Sequence, residues 1–165
     1  MERIDLHTHT LASDGSDAPA DVVRKAAALG LRAVAVTDHD TFAGLPEARA
    51  AGQRCGIEVV PGVELSTVWG GEEVHLLGYF MDTEDTALCA LMTRATDERN
   101  ARNETMVQRL HDAGYPITMA DLHAAFPGQT VLGRPHIAAL LVQRGCIASV
   151  PDGMRGLLGR GKEFY

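Results

Sequence analysis

Apolar and polar positions run in two rhythms along the first part of the chain, and the rhythms alternate. Arg3-Ile4-Asp5-Leu6 predicts a short buried strand. Pro19 suits the first turn of a helix, and Asp21 lies early in it, where an acid complements the dipole. Val22, Val23, Ala26, Ala27 and Leu29 keep helical spacing as far as Gly30, which ends the helix. Leu31-Arg32-Ala33-Val34-Ala35-Val36 is apolar enough for a parallel strand covered on both faces. A second amphipathic helix is predicted over 43–54, closing at Gly56, and Ile57-Glu58-Val59-Val60 forms a third strand. This β-α-β-α-β order is the mark of an α/β fold.

The pattern then changes. Residues 62–69 and 72–79 flank Gly70-Gly71, a hairpin signal. From 83 to 112 the chain is helical in character, rich in Ala, Leu, Met, Arg and Glu, until Gly114-Tyr115-Pro116 breaks it. A short helix follows around 118–125 with Thr118 as a candidate cap, and another runs from Pro135 to Arg144 and stops at Gly145. The tail from Pro151 to Tyr165 holds no long apolar element.

Composition narrows the function classes. A chain of 165 residues suits one domain, or one domain with a small insertion. The formal net charge of -7 argues against a surface that coats nucleic acid, so duplex DNA is not expected as a partner, while a local cationic pocket stays compatible. Cys55, Cys89 and Cys146 are far apart and form no CxxC pair, which points to free thiols in a reducing compartment. The chain shows no signal-peptide core and no apolar run of membrane-spanning length, so a cytoplasmic protein without membrane contact is expected.

The candidate chemistry gathers where the strands end. His7 and His9, spaced i, i+2, project from one side of an extended backbone at the mouth of the first strand. His39 lies between Asp38 and Asp40 directly after the second strand. Asp14, in Ser-Asp-Gly, is either an Asx-turn residue or a ligand. Glu64 sits in the apolar context Gly-Val-Glu-Leu-Ser, where an unpaired charge would be costly and a cation is a natural partner. His75, beside Val74 and Leu76-Leu77, poses the same problem on the partner strand, whereas His111 and His123 read as solvated surface residues. Arg134-Pro135-His136 opens a helix, and that terminus with the planar fork of Arg134 suits a phosphate group. Imidazole and carboxylate without thiolate favour Zn²⁺, Mn²⁺ or Fe²⁺. The donors exceed the needs of one ion and fit two or three divalent ions bridged by a carboxylate, about 3.5–4 Å apart, as in enzymes that hydrolyse phosphate esters.

DLHTHTLASDG (5–15), AVTDHDT (35–41), PGVELS (61–66), VHLLGY (74–79) and GRPHIA (133–138) together resemble the PHP (polymerase and histidinol phosphatase) family. Within it they are most similar to the stand-alone bacterial 3′,5′-nucleotide bisphosphatase and 5′-3′ exoribonuclease group. The resemblance implies the N-terminal portion of a distorted (β/α)₇ barrel over 1–82 and a helical insertion over 83–165, with His136 returning to the metal site. It implies that His7 and His9 hold a first ion, that Glu64 bridges to a second completed by His75 and His136, and that Asp14 and His39 hold a third. Metal-activated hydroxide would attack phosphorus, with Arg134 stabilising the developing charge. Relatives of this type continue well past the end of this sequence and add a His-Pro motif and a final Asp-x-His to the site. The chain is therefore expected to be a fragment or a truncated member that assembles with another chain, with open sheet edges available for self-association. The expected activity is a metal-dependent phosphoesterase acting on a small phosphorylated substrate, a nucleotide 3′,5′-bisphosphate or an RNA 5′ end. A phosphatase for a non-nucleotide metabolite such as an amino-alcohol phosphate and a non-catalytic metal-binding module are the alternatives.

Overall fold

A computed structural model describes residues 3–129 and 131–165. The chain divides into two compact units, Met1–Thr96 and Asp97–Tyr165, and the division falls inside one long helix, Thr86–Asp112.

The first unit is an α/β sheet with helices against it. Its elements are β1 (Arg3–Thr8), α1 (Pro19–Ala28), β2 (Leu31–Val36), α2 (Leu45–Cys55), β3 (Glu58–Trp69) and β4 (Glu72–Tyr79). The strands lie in the order β1-β2-β3-β4, with β1, β2 and β3 parallel and β4 antiparallel to β3. Pro19 sits in the first turn of α1 and Asp21 follows it, as the sequence predicts. The core joins Val23 and Ala26 of α1 and Leu45, Ala48 and Ala51 of α2 to Val34 and Val36 of β2. β2 is central, and Ala33 to Val36 are all buried, in keeping with its uninterrupted apolar run.

Two expectations fail here for physical reasons. β1 is not a buried strand, because Ile4 is 57% exposed and Leu6 39% exposed. It forms the edge of the sheet, and α1 packs on β2 and α2 on β3 instead. The segments 57–60 and 62–69 are not separate strands but one continuous β3. Pro61 lies where the strand changes partners: Val36 faces Pro61 in the parallel ladder, and Gly62 faces Tyr79 in the antiparallel one. A residue without an N–H is tolerated at such a junction, and the Pro61 carbonyl accepts from Phe80 N–H at 2.8 Å. Gly62 is required beside it, since a Cβ there would meet Thr37 Cγ2 at 2.8 Å. The hairpin itself is as expected, with Gly70 and Gly71 both at positive φ in its two-residue turn.

In the second unit the rest of α3 (Thr86–Asp112) is joined by α4 (Met119–Ala125), α5 (Arg134–Gln143) and α6 (Val150–Gly153), which runs on into a π-helical turn over Met154–Leu158. Met106, Leu110, Ile117, Leu122, Ile137, Leu141 and Leu158 form its core. Thr118 and Asp121 make a reciprocal capping box at the start of α4. α3 begins at Thr86 rather than 83 because the Asp85 carboxylate accepts from Leu88 N–H at 2.7 Å and caps it there. The tail is more ordered than its composition suggests. Ser149 caps α6, and Leu158 and Phe164 are buried anchors in a Gly-rich stretch without periodicity. Among the described residues no helix is long and apolar enough to cross a membrane, and the three cysteines are free thiols.

Replacing Leu141, fully buried, with Ala should cost about 2–5 kcal/mol of unfolding free energy. Leu29→Ala, at an exposed helix end, should stay within about 0.5 kcal/mol. Urea denaturation of both variants checks the pair.

Candidate metal centre

The strand order carries titratable side chains from separate segments to one place. β1 carries His7 and ends at Thr8, His9 follows it directly, and the loop beyond carries Asp14. The loop after β2 carries His39, β3 carries Glu64, and β4 carries His75. His39 is brought level with Glu64 because the chain beyond β2 keeps following β3. Glu64 N–H donates to the Asp38 carbonyl and Asp40 N–H donates to the Glu64 carbonyl, each at 3.1 Å.

Glu64 is the hub. It is only 5% exposed, yet both carboxylate oxygens meet imidazole nitrogens. Its Oε2 lies 2.7 Å from His7 Nε2 and 3.0 Å from His9 Nε2, and its Oε1 lies 2.5 Å from His75 Nδ1. Asp14 extends the cluster, with Oδ1 at 3.3 Å from His9 Nδ1 and Oδ2 at 3.6 Å from His39 Nε2. Burial pushes the Glu64 carboxyl up, but the His7 hydrogen bond, the charge of His39, the His75 hydrogen bond and the charge of His9 outweigh it. The carboxyl is held below the ordinary glutamate range and stays ionised at neutral pH.

Among the described residues, three overlapping groups have donor atoms close enough to share an ion: His7, His9 and Glu64; His9, Asp14 and His39; His39, Glu64 and His75. The donor set fits divalent cations of intermediate softness. It is nitrogen and carboxylate oxygen without sulfur, and its one nearly buried carboxylate belongs to two of the groups. His7 Nε2 and His9 Nε2 approach to 3.1 Å while both face the same carboxylate oxygen. A cation held by these two nitrogens and the Glu64 oxygen would bind all three through their lone pairs.

His136 and Arg134 belong to the Asp97–Tyr165 unit. The buried His136 ring accepts from Gly133 N–H through Nδ1 at 2.8 Å and meets the Phe126 ring edge-on. Arg134 lies over the Tyr165 ring at 5.3 Å, and Arg102 lies over the same ring at 5.6 Å. His111 is not merely a solvated side chain, since its Nδ1 pairs with the Ile117 carbonyl at 3.2 Å.

Asp38 and Asp40 were not singled out as functional by the sequence reading, yet both are buried beside the cluster. The Asp40 carboxylate accepts from Ser66 N–H at 2.8 Å and ties the His39 loop to β3 just past Glu64. Asp38 reaches the other way, into the segment that carries His9 and Asp14. The signal in the sequence is a pair of acids, Asp38 and Asp40, just past the end of an apolar strand, where burial demands partners.

The PHP domain profile matches residues 5–143. The chain is 36% identical over 163 residues to the 5′-3′ exoribonuclease Rnm of Escherichia coli, covering 98% of this chain and 55% of that protein. It is 35% identical over 165 residues to the 3′,5′-nucleoside bisphosphate phosphatase of Chromobacterium violaceum, covering all of this chain and 58% of that one. A solved Bifidobacterium adolescentis structure, assigned as a metal-dependent phosphoesterase, superposes with a TM-score of 0.92 at 33% identity, over 99% of this chain and 58% of its own. The chain thus spans little more than half the length of these relatives.

Gly15 closes the loop that presents Asp14, and a Cβ there would sit 2.3 Å from the His9 carbonyl oxygen. Gly15→Ala should therefore displace the His9–Asp14 segment and weaken Zn²⁺ or Mn²⁺ binding by more than about tenfold. Gly156→Ala, where an added Cβ meets no atom within 4 Å, should leave binding unchanged. Isothermal titration of each variant with the metal alone reads the difference.

Proposed function

The chain belongs to the PHP domain family, and on that premise we propose that the protein is a metal-dependent phosphoesterase whose substrate is a nucleotide 3′,5′-bisphosphate or the 5′ end of an RNA. One observation carries the reading: a nearly buried carboxylate, Glu64, has ring nitrogens of three histidines against its two oxygens, with Asp14 and His39 continuing the array. Such an arrangement suits a multinuclear hydrolytic centre better than a structural one, because His7 and His75 keep solvent-exposed flanks through which a substrate can approach. The names of the exoribonuclease and bisphosphate phosphatase relatives support a nucleotide or RNA substrate.

In this proposal His7, His9, Asp14, His39, Glu64 and His75 would hold two or three divalent ions, Mn²⁺, Zn²⁺ or Fe²⁺. Bound ions supply a water of lowered pKa and neutralise charge on the phosphoryl oxygens. Hydrolysis would form a P–O bond from water and break the P–O bond to the substrate alcohol, which would leave with a proton from that water. Glu64 contributes by remaining ionised, so that it offers an anionic donor to the ions it would hold. Asp14 faces both rings at once, one oxygen toward His9 Nδ1 and the other toward His39 Nε2. Arg134, whose planar guanidinium suits phosphate oxygens, is proposed as a phosphate-binding residue.

With Mn²⁺ supplied, the protein should release phosphate from a nucleoside 3′,5′-bisphosphate, and His9→Ala should lower kcat/KM by more than about 100-fold, beyond the loss typical of outer-shell changes. Arg134→Lys should lower kcat/KM while leaving metal content unaltered. A panel that includes an amino-alcohol phosphate separates the nucleotide reading from the metabolite one. Metal uptake with no turnover on any phosphate ester would establish a binding module instead.

A further inference from the structure

We infer that Asp38 is a positioning residue for the metal centre: its buried carboxylate holds the segment between His9 and Asp14 in the one conformation that turns both side chains toward Glu64 and His39. The inference rests on the metal-centre reading above and deepens it. Asp38 is 1% exposed, and its two oxygens accept three hydrogen bonds from one short segment. Oδ1 takes Thr10 N–H at 2.7 Å and Ser13 Oγ–H at 2.6 Å, and Oδ2 takes Thr10 Oγ–H at 2.7 Å. Thr10 and Ser13 are themselves fully buried, and they are the residues directly after His9 and directly before Asp14.

The rest of the segment closes around this anchor. The Thr10 carbonyl accepts from Ser13 N–H and from Gly15 N–H, each at 3.0 Å, and Thr10 Oγ accepts from Ala12 N–H at 3.1 Å. The turn therefore has its backbone groups satisfied only while Thr10 keeps its place, and Thr10 keeps its place through Asp38. Nothing larger than Gly44 fits behind the carboxylate, since a Cβ there would lie 2.8 Å from Asp38 Oδ2 and 3.0 Å from Thr10 Oγ. The opposite end of the same short loop is fixed by Asp40 on Ser66 N–H at 2.8 Å. His39 thus stands between two clips, one gripping the His9–Asp14 segment and one gripping the Glu64 strand. A buried carboxylate was available here for a cation, but its lone pairs point at three protein donors, so Asp38 orders ligands and is not one.

The test is a Co²⁺ titration followed by d–d absorption, run on wild type, Asp38→Asn and Ser13→Ala, with a thermal melt of each. Asp38→Asn removes one anionic acceptor while preserving shape, and Ser13→Ala removes a single donor and keeps the rest of the anchor. Asp38→Asn should retain a cooperative melt and lose about 10–100-fold in Co²⁺ affinity, the range for a group that orients ligands. Ser13→Ala should show a smaller loss in the same direction, and it carries the test if Asp38→Asn does not fold. A lowered melting temperature with Co²⁺ affinity and spectrum unchanged in the folded variants would overturn the inference and leave the metal centre standing. Wild-type protein that takes up no Co²⁺ would overturn the metal reading, and this inference with it.

Discussion

Glu64 brings a carboxylate into the interior of the sheet and meets imidazole nitrogens with both oxygens, and the arrangement of the first unit serves that meeting. An ionised group so placed is costly unless it is paired. Here the partners come from two separate segments: His7 and His9 from the end of β1 and just beyond it, and His75 from β4. Burial and pairing oppose each other at this carboxyl, and pairing prevails, because its acidity is raised despite its surroundings.

The backbone makes the meeting possible through the double role of β3. Its first half follows β2 in parallel, and its second half pairs with β4 in the opposite sense, with Pro61 and Gly62 at the change of partner. The parallel half brings the strand-end loops of β1 and β2 to the level of Glu64, and the antiparallel half places His75 beside it. A shift of one residue in either ladder would turn Glu64 to the other face of the sheet and separate the cluster. The loop after β2 protects the register, since its backbone pairs with Glu64 on both sides and its two acids anchor the neighbouring segments.

Much of this was legible in the sequence where a local rule and the tertiary structure agree. The apolar β2, the Pro-started α1, the Gly70-Gly71 turn and the Thr118 box each depend on neighbours within a few residues, and each lies where local chemistry puts it. The imidazole and acid pattern was legible for another reason: residues so expensive to bury, set at strand ends, have few uses other than holding charge. What the sequence could not disclose is long-range. Whether Ile4 and Leu6 are covered depends on the position of β1 in the sheet order, and the continuity of β3 through Pro61 depends on which partners lie on each side. Asp38 resembles any loop aspartate until Thr10 and Ser13, 28 and 25 residues away, are seen to converge on it. The closing turns at 150–158 rest on Leu158 and Phe164, which carry no periodic signature among the glycines.

The most direct test of the account is anomalous diffraction from crystals of the protein grown with saturating Mn²⁺, recorded on both sides of the metal edge. The account predicts more than one peak within bonding distance of donors drawn from His7, His9, Asp14, His39, Glu64 and His75, with Glu64 touching two of them. A map with no anomalous density among these side chains, or with Glu64 bonded only to protein nitrogens, would contradict it.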